Sequence, residues 1–535
     1  MEKADLILFN GKVYTMDSTK PKAAAIAIRE GKILMVGDDQ EILSLGSRTE
    51  GIDLNGKAVL PGFSDAHTHF LDGGMALSDV QLRGAVDRDD FIFRIRSKAQ
   101  DLKPGEWILN GDWDHQGFAE PELPRKEWID PVTPGNPVCI NRIDKHTVLV
   151  NSLALKAAGI NRHTDSPPGG KIEKDPVAGE PTGILKDAAI NLVSRIIPEP
   201  GIQAKKQAVL RAAGHAHSLG VTSVHDMAYS TENFEVYSEL LQEGNLNIRV
   251  CLYLPIAAMN EFRERAKTVP EQNNRFKLGG LKAFVDGSLG ASTALFFEPY
   301  LDNPTEKGIL ISDMYPEGIM EKRLFQADNE KLQVAVHAIG DRANHIILDI
   351  MEKVITTNGQ RDRRWRIEHT QHIIPDDIIR MGRLGIIASV QPYHAYDDGC
   401  WAHLKIGRER VRWSYPFRSL LHAGVKIACG SDWTVAPLNP LLGIFSAVTR
   451  KTRDGKHPDG WIPEEKISLE EAVKGFTVNP AFVEGSEDFK GTIAPGKIAD
   501  IVVLNQDIFS IPADGIENAE VFMTVFDGHI VYQKK

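Results

Sequence analysis

Cysteine is scarce and scattered. The four residues (Cys139, Cys251, Cys400 and Cys429) form no Cys-x-x-Cys, which argues against a disulfide framework and against a zinc ribbon. No apolar run approaches the ~18–20 residues a membrane span needs, so no membrane partner is expected. There is no basic excess either. The formal net charge is -11, and nucleic acid or an anionic lipid surface is disfavoured as the main partner. The chain opens with Glu2, Lys3 and Asp5 before a short apolar run, unlike a signal peptide. Internal repeats and low-complexity tracts are absent. These absences together point to a reducing, cytoplasmic setting and a small-molecule partner.

What is present is a long chain of ordinary globular composition: 535 residues, 42% hydrophobic and 25% charged. One hydrophobic core stops growing near ~250–300 residues, so additions or several domains are required. Residues 1–57 read as short strands, with Asn10-Gly11 as a hairpin turn. Residues 491–535 read the same way, with a turn at Asp527-Gly528. Neither end can bury a core alone, and the two are expected to join as one discontinuous β-sandwich. Between them, over 58–440, apolar runs alternate with helix-like stretches. The runs are Ala58–Phe63, Val221–Val224, Ile248–Leu254, Leu281–Val285, Gln333–Val336, Trp365–Ile367, Ile386–Val390 and Lys426–Ala428. Eight such units predict an α/β fold with a closed (β/α)8 TIM-like barrel, whose sites lie at the C-terminal ends of the strands. The stretch 71–200 reads as an inserted subdomain, and 441–490 as a helical segment completing the barrel.

The chemistry-bearing residues sit where these runs end. The first delivers His67 and His69 in Asp65-Ala66-His67-Thr68-His69. Residues two apart on a strand share a side, so both imidazoles can face one ion. His215 and His217 have the same spacing but lie in a helix-like stretch, where i and i+2 do not share a face. The fourth run carries Lys282, the fifth ends at His337, the sixth at His369, and the eighth leads to Asp432. Singly, each has a bland reading: a satisfied core histidine, a snorkelling lysine, a helix-capping aspartate. Six on five strands of one proposed barrel favour a metal site. Neutral imidazoles and a carboxylate suit Zn2+, with Mn2+ or Fe2+ as alternatives.

The segments LPGFSDAHTHF, GDWDHQGF, HTVLVNSLALKAAGI, GVTSVHD, LKAFVDGSLGAST, VAVHAIGDRAN, RIEHTQ, YPFRSLLHAGVKIACGSDW and GTIAPGKIADIVVL resemble the amidohydrolase superfamily. Within it they are similar to the branch containing N-substituted formamide deformylases. The resemblance implies the same barrel-plus-sandwich fold, and places His67, His69, Lys282, His337, His369 and Asp432 at the family's metal positions. It implies two ions, with His67, His69 and Asp432 on one, His337 and His369 on the other, and Lys282, carboxylated on Nζ by CO2, bridging them. Homodimers are common among such relatives. Lys145 departs from the family's Asp-Gly-His pattern in a loop expected to shape the substrate pocket.

A metal lowers the pKa of a bound water to about 7, and Asp432 is the natural proton shuttle. His146, His225, Asp286 and Trp113 are candidate substrate-binding residues; His146 and His225 could instead orient the metal ligands, and packing or structural roles are the remaining alternatives. The expected reaction is hydrolysis of the C–N bond of an N-substituted amide, such as an N-formyl or N-acyl amine. The alternatives are a carbamate, ester or cyclic amide substrate, or a non-catalytic scaffold.

Overall fold

A computed structural model describes residues 3–46, 51–115, 118–142, 147–167, 170–270 and 273–535. The chain divides into two compact units, Met1–Gly73 with Val209–Lys535, and Gly74–Ala208.

The larger unit is built on an eight-stranded parallel sheet. Its strands are β1 (Phe63–Thr68), β2 (Val221–Met227), β3 (Arg249–Pro255), β4 (Phe276–Phe284), β5 (Val334–Ala338), β6 (Arg366–His369), β7 (Ile387–Val390) and β8 (Ile427–Cys429). They are adjacent in chain order from β1 to β8. Both faces of these strands are covered, which is why they read as near-continuous apolar runs rather than alternating ones. The outer cover is helical. The helix Asp341–Asn358, for example, buries Ala343, Ile347, Leu348, Met351, Val354 and Ile355 along one stripe.

The ring closes at the ends of β1 and β8. Thr68 and Trp433 form a parallel bridge. His69 N donates to Trp433 O at 2.7 Å, and Asp432 N donates to His67 O at 2.7 Å. Gly430 makes this seam possible, because a Cβ there would lie 2.5 Å from the His67 nitrogen. The Asp65 carboxylate spans the same seam, accepting from His67 N and Ser431 N at 3.0 Å each.

The two ends of the chain join as the sequence predicts. Ile501–Leu504 pairs antiparallel with Ala58–Pro61 inside a six-stranded sheet. A four-stranded sheet of Lys32–Gly37, Ala25–Arg29, Leu6–Phe9 and Gly51–Asp53 faces it. Leu8, Val13, Ile26 and Val59 from one end share a core with Ile501, Val503, Met523 and Val525 from the other. One expected run divides. Ala58–Pro61 belongs to the sandwich, and the barrel strand starts only at Phe63. The hinge is Gly62, where a Cβ would meet Thr222 Oγ1 at 2.4 Å.

The smaller unit holds a five-stranded sheet in the order Gly170–Lys174, Pro181–Asp187, Thr147–Val150, Val138–Arg142, Ile108–Trp113. Its core gathers Phe91, Ile95, Trp113, Trp128 and Ile140. Among the described residues no helix is long and apolar enough to cross a membrane.

Candidate metal centre

Strand ends carry the site, and two of its residues leave strand geometry to do so. His369 has φ 75° and Asp432 φ 59°, left-handed conformations that cost non-glycine residues energy and concentrate at functional positions. At His369 the turn breaks strand alternation. Glu368 and His369 therefore both reach His67 instead of pointing to opposite faces.

Asp432 Oδ1 lies 3.5 Å from His67 Nε2 and 3.4 Å from His69 Nε2, and Asp432 Oδ2 lies 4.0 Å from His369 Nδ1. The His369 ring is 4.9 Å from that of His67 and 4.4 Å from that of His337, centroid to centroid. All of these side chains are buried or nearly so. Burial, helped by the Lys282 charge, pulls the pKa of His67 down to about 4 and that of His337 to about 3, and takes His369 well below its usual value. Their neutral forms are the ligating forms. Burial opposes charge on Asp432, but His67, His69 and His369 outweigh it and hold the carboxyl well below the usual carboxylate range.

The imidazoles fit a cation in a further respect. His67 Nδ1 is held by Glu368 Oε2 at 2.5 Å, His369 Nδ1 by Gln391 Oε1 at 2.7 Å, and His337 Nε2 by the Gly287 carbonyl at 3.0 Å. Each ring spends its N–H on an outer partner and keeps a lone pair on its other nitrogen. The Lys282 Nζ is 1% exposed with its residue and has no hydrogen-bond partner among the described residues. Burial pulls its pKa down to about 8, against the opposing charges of Glu368 and Asp432. The donor set fits divalent metal.

The cavity above has a volume of about 370 Å³. Tyr229, Phe284, Leu289, Trp401 and Val435 form apolar walls, and His67, His69, His337, His369 and Asp432 lie in its lining. Tyr229 stacks on His69 at 4.5 Å and 4°, with its hydroxyl 3.2 Å from His69 Nε2.

Beneath the site, a ladder of charge fills the barrel interior. Glu368 Oε1 pairs with Arg366 Nε at 2.6 Å. Arg366 donates from its guanidinium to His225 Nδ1 at 2.9 Å, and His225 Nε2 meets Glu484 Oε2 at 3.0 Å. Glu484 Oε1 in turn pairs with Lys490 Nζ at 2.7 Å. His225, Cys251 and Glu484 come within 4.8 Å of one another. Arg366 and Lys490 already supply cations there, so a metal has no place in that group.

Three sequence expectations are corrected. His225 is in β2 and belongs to the ladder, not to the cavity lining. Asp286 accepts backbone N–H groups from Leu295 (2.7 Å), Ile339 (3.0 Å) and Gly340 (2.9 Å), and clamps loops instead of facing substrate. Strand β4 ends at Phe284, so the alternation linking Asp286 to Lys282 does not extend that far. Trp113 is fully buried in the smaller unit's core and donates from Nε1 to Ile140 O at 3.0 Å. His146 and Lys145 lie outside the described residues. His215 and His217 are helical and pack on Trp433 and Phe526. Glu368, Gln391, His394 and Tyr229 are site residues that sequence reasoning did not single out. Glu368 and His394 each carried a signal: one directly precedes a ligand, and the other follows β7 by four residues.

The sequence matches the amidohydrolase family over residues 50–532. The chain belongs to this family. As an amidohydrolase it is a metal-dependent hydrolase acting on carbon–nitrogen bonds other than peptide bonds. It is 40% identical to Protein LONG AFTER FAR-RED 3 of Arabidopsis thaliana, over 99% of this chain and 92% of that one. Putative amidohydrolase YtcJ of Bacillus subtilis is 32% identical over 99% of each chain. N-substituted formamide deformylase of Arthrobacter pascens is 26% identical, over 99% of this chain and 98% of its own. Among solved structures, a metal-dependent hydrolase from Pyrococcus furiosus superposes with a TM-score of 0.76 at 30% identity, covering 94% of this chain and 99% of that one.

Proposed function

We propose that this amidohydrolase cleaves the C–N bond of an N-substituted amide, an N-formyl or N-acyl amine with a bulky apolar or aromatic group on nitrogen. The observation that carries the reading is the Asp432 carboxylate, 3.4–3.5 Å from two imidazoles, opening on an apolar cavity. The name of the Arthrobacter relative is consistent with it.

His67, His69 and Asp432 would hold one divalent ion and His337 and His369 a second. Lys282, if its buried amine added CO2 and lost a proton to become a carbamate, would supply a further carboxylate donor. Zn2+ suits this donor set best. Divalent cations held there would lower the pKa of a bound water to about 7 and would polarise a carbonyl. The chain's own residues do the rest. Asp432 takes a proton from the attacking water as its oxygen bonds to the carbonyl carbon. It returns that proton to nitrogen as the C–N bond breaks, releasing an acid and an amine. Glu368 and Gln391 keep His67 and His369 oriented through the cycle. Tyr229, Phe284, Leu289, Trp401 and Val435 receive the nitrogen substituent and exclude water.

The test is a panel of N-formyl and N-acyl benzylamines and anilines, with matched esters and carbamates, assayed on metal-loaded protein. Amides turning over with the highest kcat/KM support the reading. Preference for an ester or carbamate overturns it.

A further inference from the structure

Resting on the amide-hydrolysis reading, we infer that His394 is the hydrogen-bond donor for the substrate's carbonyl oxygen, and is not a metal ligand. His394 lies in the helix Pro392–Asp398 immediately after β7 and lines the cavity. Its ring runs parallel to that of His369, 6.4 Å away and tilted by 11°. One of its ring nitrogens falls within 4.8 Å of donor atoms of His369 and Asp432. By distance alone it belongs with the ligands.

Hydrogen bonding assigns it differently. Gln371 donates from its side-chain Nε2 to His394 Nδ1 at 3.2 Å. Nδ1 is therefore the acceptor, and the ring proton sits on Nε2. That Nε2 is buried and has no partner among the described residues. A nitrogen bearing its proton has no lone pair for a metal, but it is ready to donate. Buried donors without partners are rare in folded proteins, because water has been given up for nothing. Here a ligand supplies the missing acceptor.

The surroundings leave few rivals. No lysine or arginine is among the described residues lining the cavity, so no protein cation meets charge developing on the carbonyl oxygen. Gln371 spends its amide on His394. The donor is also held firmly. His394 N donates to Gln391 O at 3.0 Å, and the Gln391 side chain fixes His369 at 2.7 Å. One turn thus positions a metal-facing imidazole and a substrate-facing one. A donor fixed in place before the reaction stabilises the transition state at no reorganisation cost.

The experiment compares wild type, His394→Ala and His394→Gln as metal-loaded full chains. It reads bound metal per chain, kcat and KM on N-formylbenzylamine, and the affinity of a phosphonate analogue of the tetrahedral intermediate. With His394→Ala, metal content and KM should stay at wild-type levels, kcat should fall roughly 10²–10³-fold, and phosphonate affinity should fall in step. His394→Gln, whose side-chain amide can still donate, should recover about tenfold of the loss. Loss of metal from His394→Ala would overturn the inference in favour of a ligand. Unchanged kcat and phosphonate affinity, or equal losses in both variants, would overturn it as well. Should wild type bind the phosphonate yet leave the amide intact, the amide reading fails, and phosphonate affinity in the variants still decides the role of His394.

Discussion

His67 Nδ1 sits 2.5 Å from Glu368 Oε2, and both side chains are sealed from solvent. The contact bridges β1 and β6 across the barrel interior, and it sets which nitrogen of His67 faces Asp432. Burial makes a charge on Glu368 costly, but Arg366 and His67 outweigh that and hold its carboxyl well below the usual carboxylate range. The metal centre is therefore aimed by a charged ladder that continues beneath it to Lys490.

Removing that carboxylate should loosen the metal before it touches the chemistry. Glu368→Ala leaves the His67 N–H without an acceptor and the Arg366 guanidinium without its carboxylate, held only by His225 and Met227. Losses of outer partners of this kind cost about 10–100-fold in metal affinity. Chelator-competition titration should show that loss. Affinity equal to wild type would mean the contact does not orient His67.

Asp432→Asn removes the proton carrier while keeping the side chain's size. The expected result is a fall in kcat of roughly 10²–10⁴-fold with KM nearly unchanged. Steady-state kinetics on the best amide of the panel checks it. Unchanged kcat would take Asp432 out of the proton path.

Arg249 ties the barrel to the sandwich. It meets Asp500 through two nitrogens at 2.8 and 3.0 Å and Asp527 at 3.1 Å, with 3% exposure. Arg249→Ala leaves the buried Asp500 carboxylate without its cation, while Asp527 keeps Arg275, and breaking a buried pair in this way costs about 3–5 kcal/mol. Urea unfolding should show that loss. Arg249→Lys should recover only part of it, because an ammonium cannot make the two-pronged contact.

Asp398 should leave a pH signature on stability. Burial lifts its pKa to about 6, although Tyr415 donates to it at 2.5 Å. In the unfolded chain the value is ~3.9. Between these two values the folded state holds a proton that the unfolded state has released, so wild-type stability falls as pH rises through this window. Asp398→Asn keeps an acceptor for Tyr415 and cannot ionise. Its melting temperature relative to wild type should rise between about pH 4 and pH 7 and then level off. A constant difference would contradict the shift.

Much of this was legible in the sequence because parallel barrel strands are buried on both faces and stand out as apolar runs. His67, His69, Lys282, His337, His369 and Asp432 were visible because each interrupts or ends such a run. What escaped depended on backbone conformation. Strand alternation sets Glu368 opposite His369, and only the left-handed turn at His369 brings both inward. Alternation carried too far made Asp286 look like a partner of Lys282, when the strand has already ended and backbone amides claim its carboxylate. Trp113 looked like a pocket wall because aromatic identity alone does not separate a lining residue from a core one.

The most direct test is metal content. Wild type, His67→Ala, His369→Ala and Asp432→Asn would be purified in parallel, with bound transition metal measured per chain and amide hydrolysis assayed before and after chelation. The account predicts stoichiometric metal in wild type, loss of hydrolysis on chelation with recovery on adding Zn2+, and depleted metal in both histidine variants. Full activity from metal-free protein, or wild-type metal content in His67→Ala and His369→Ala, would contradict it.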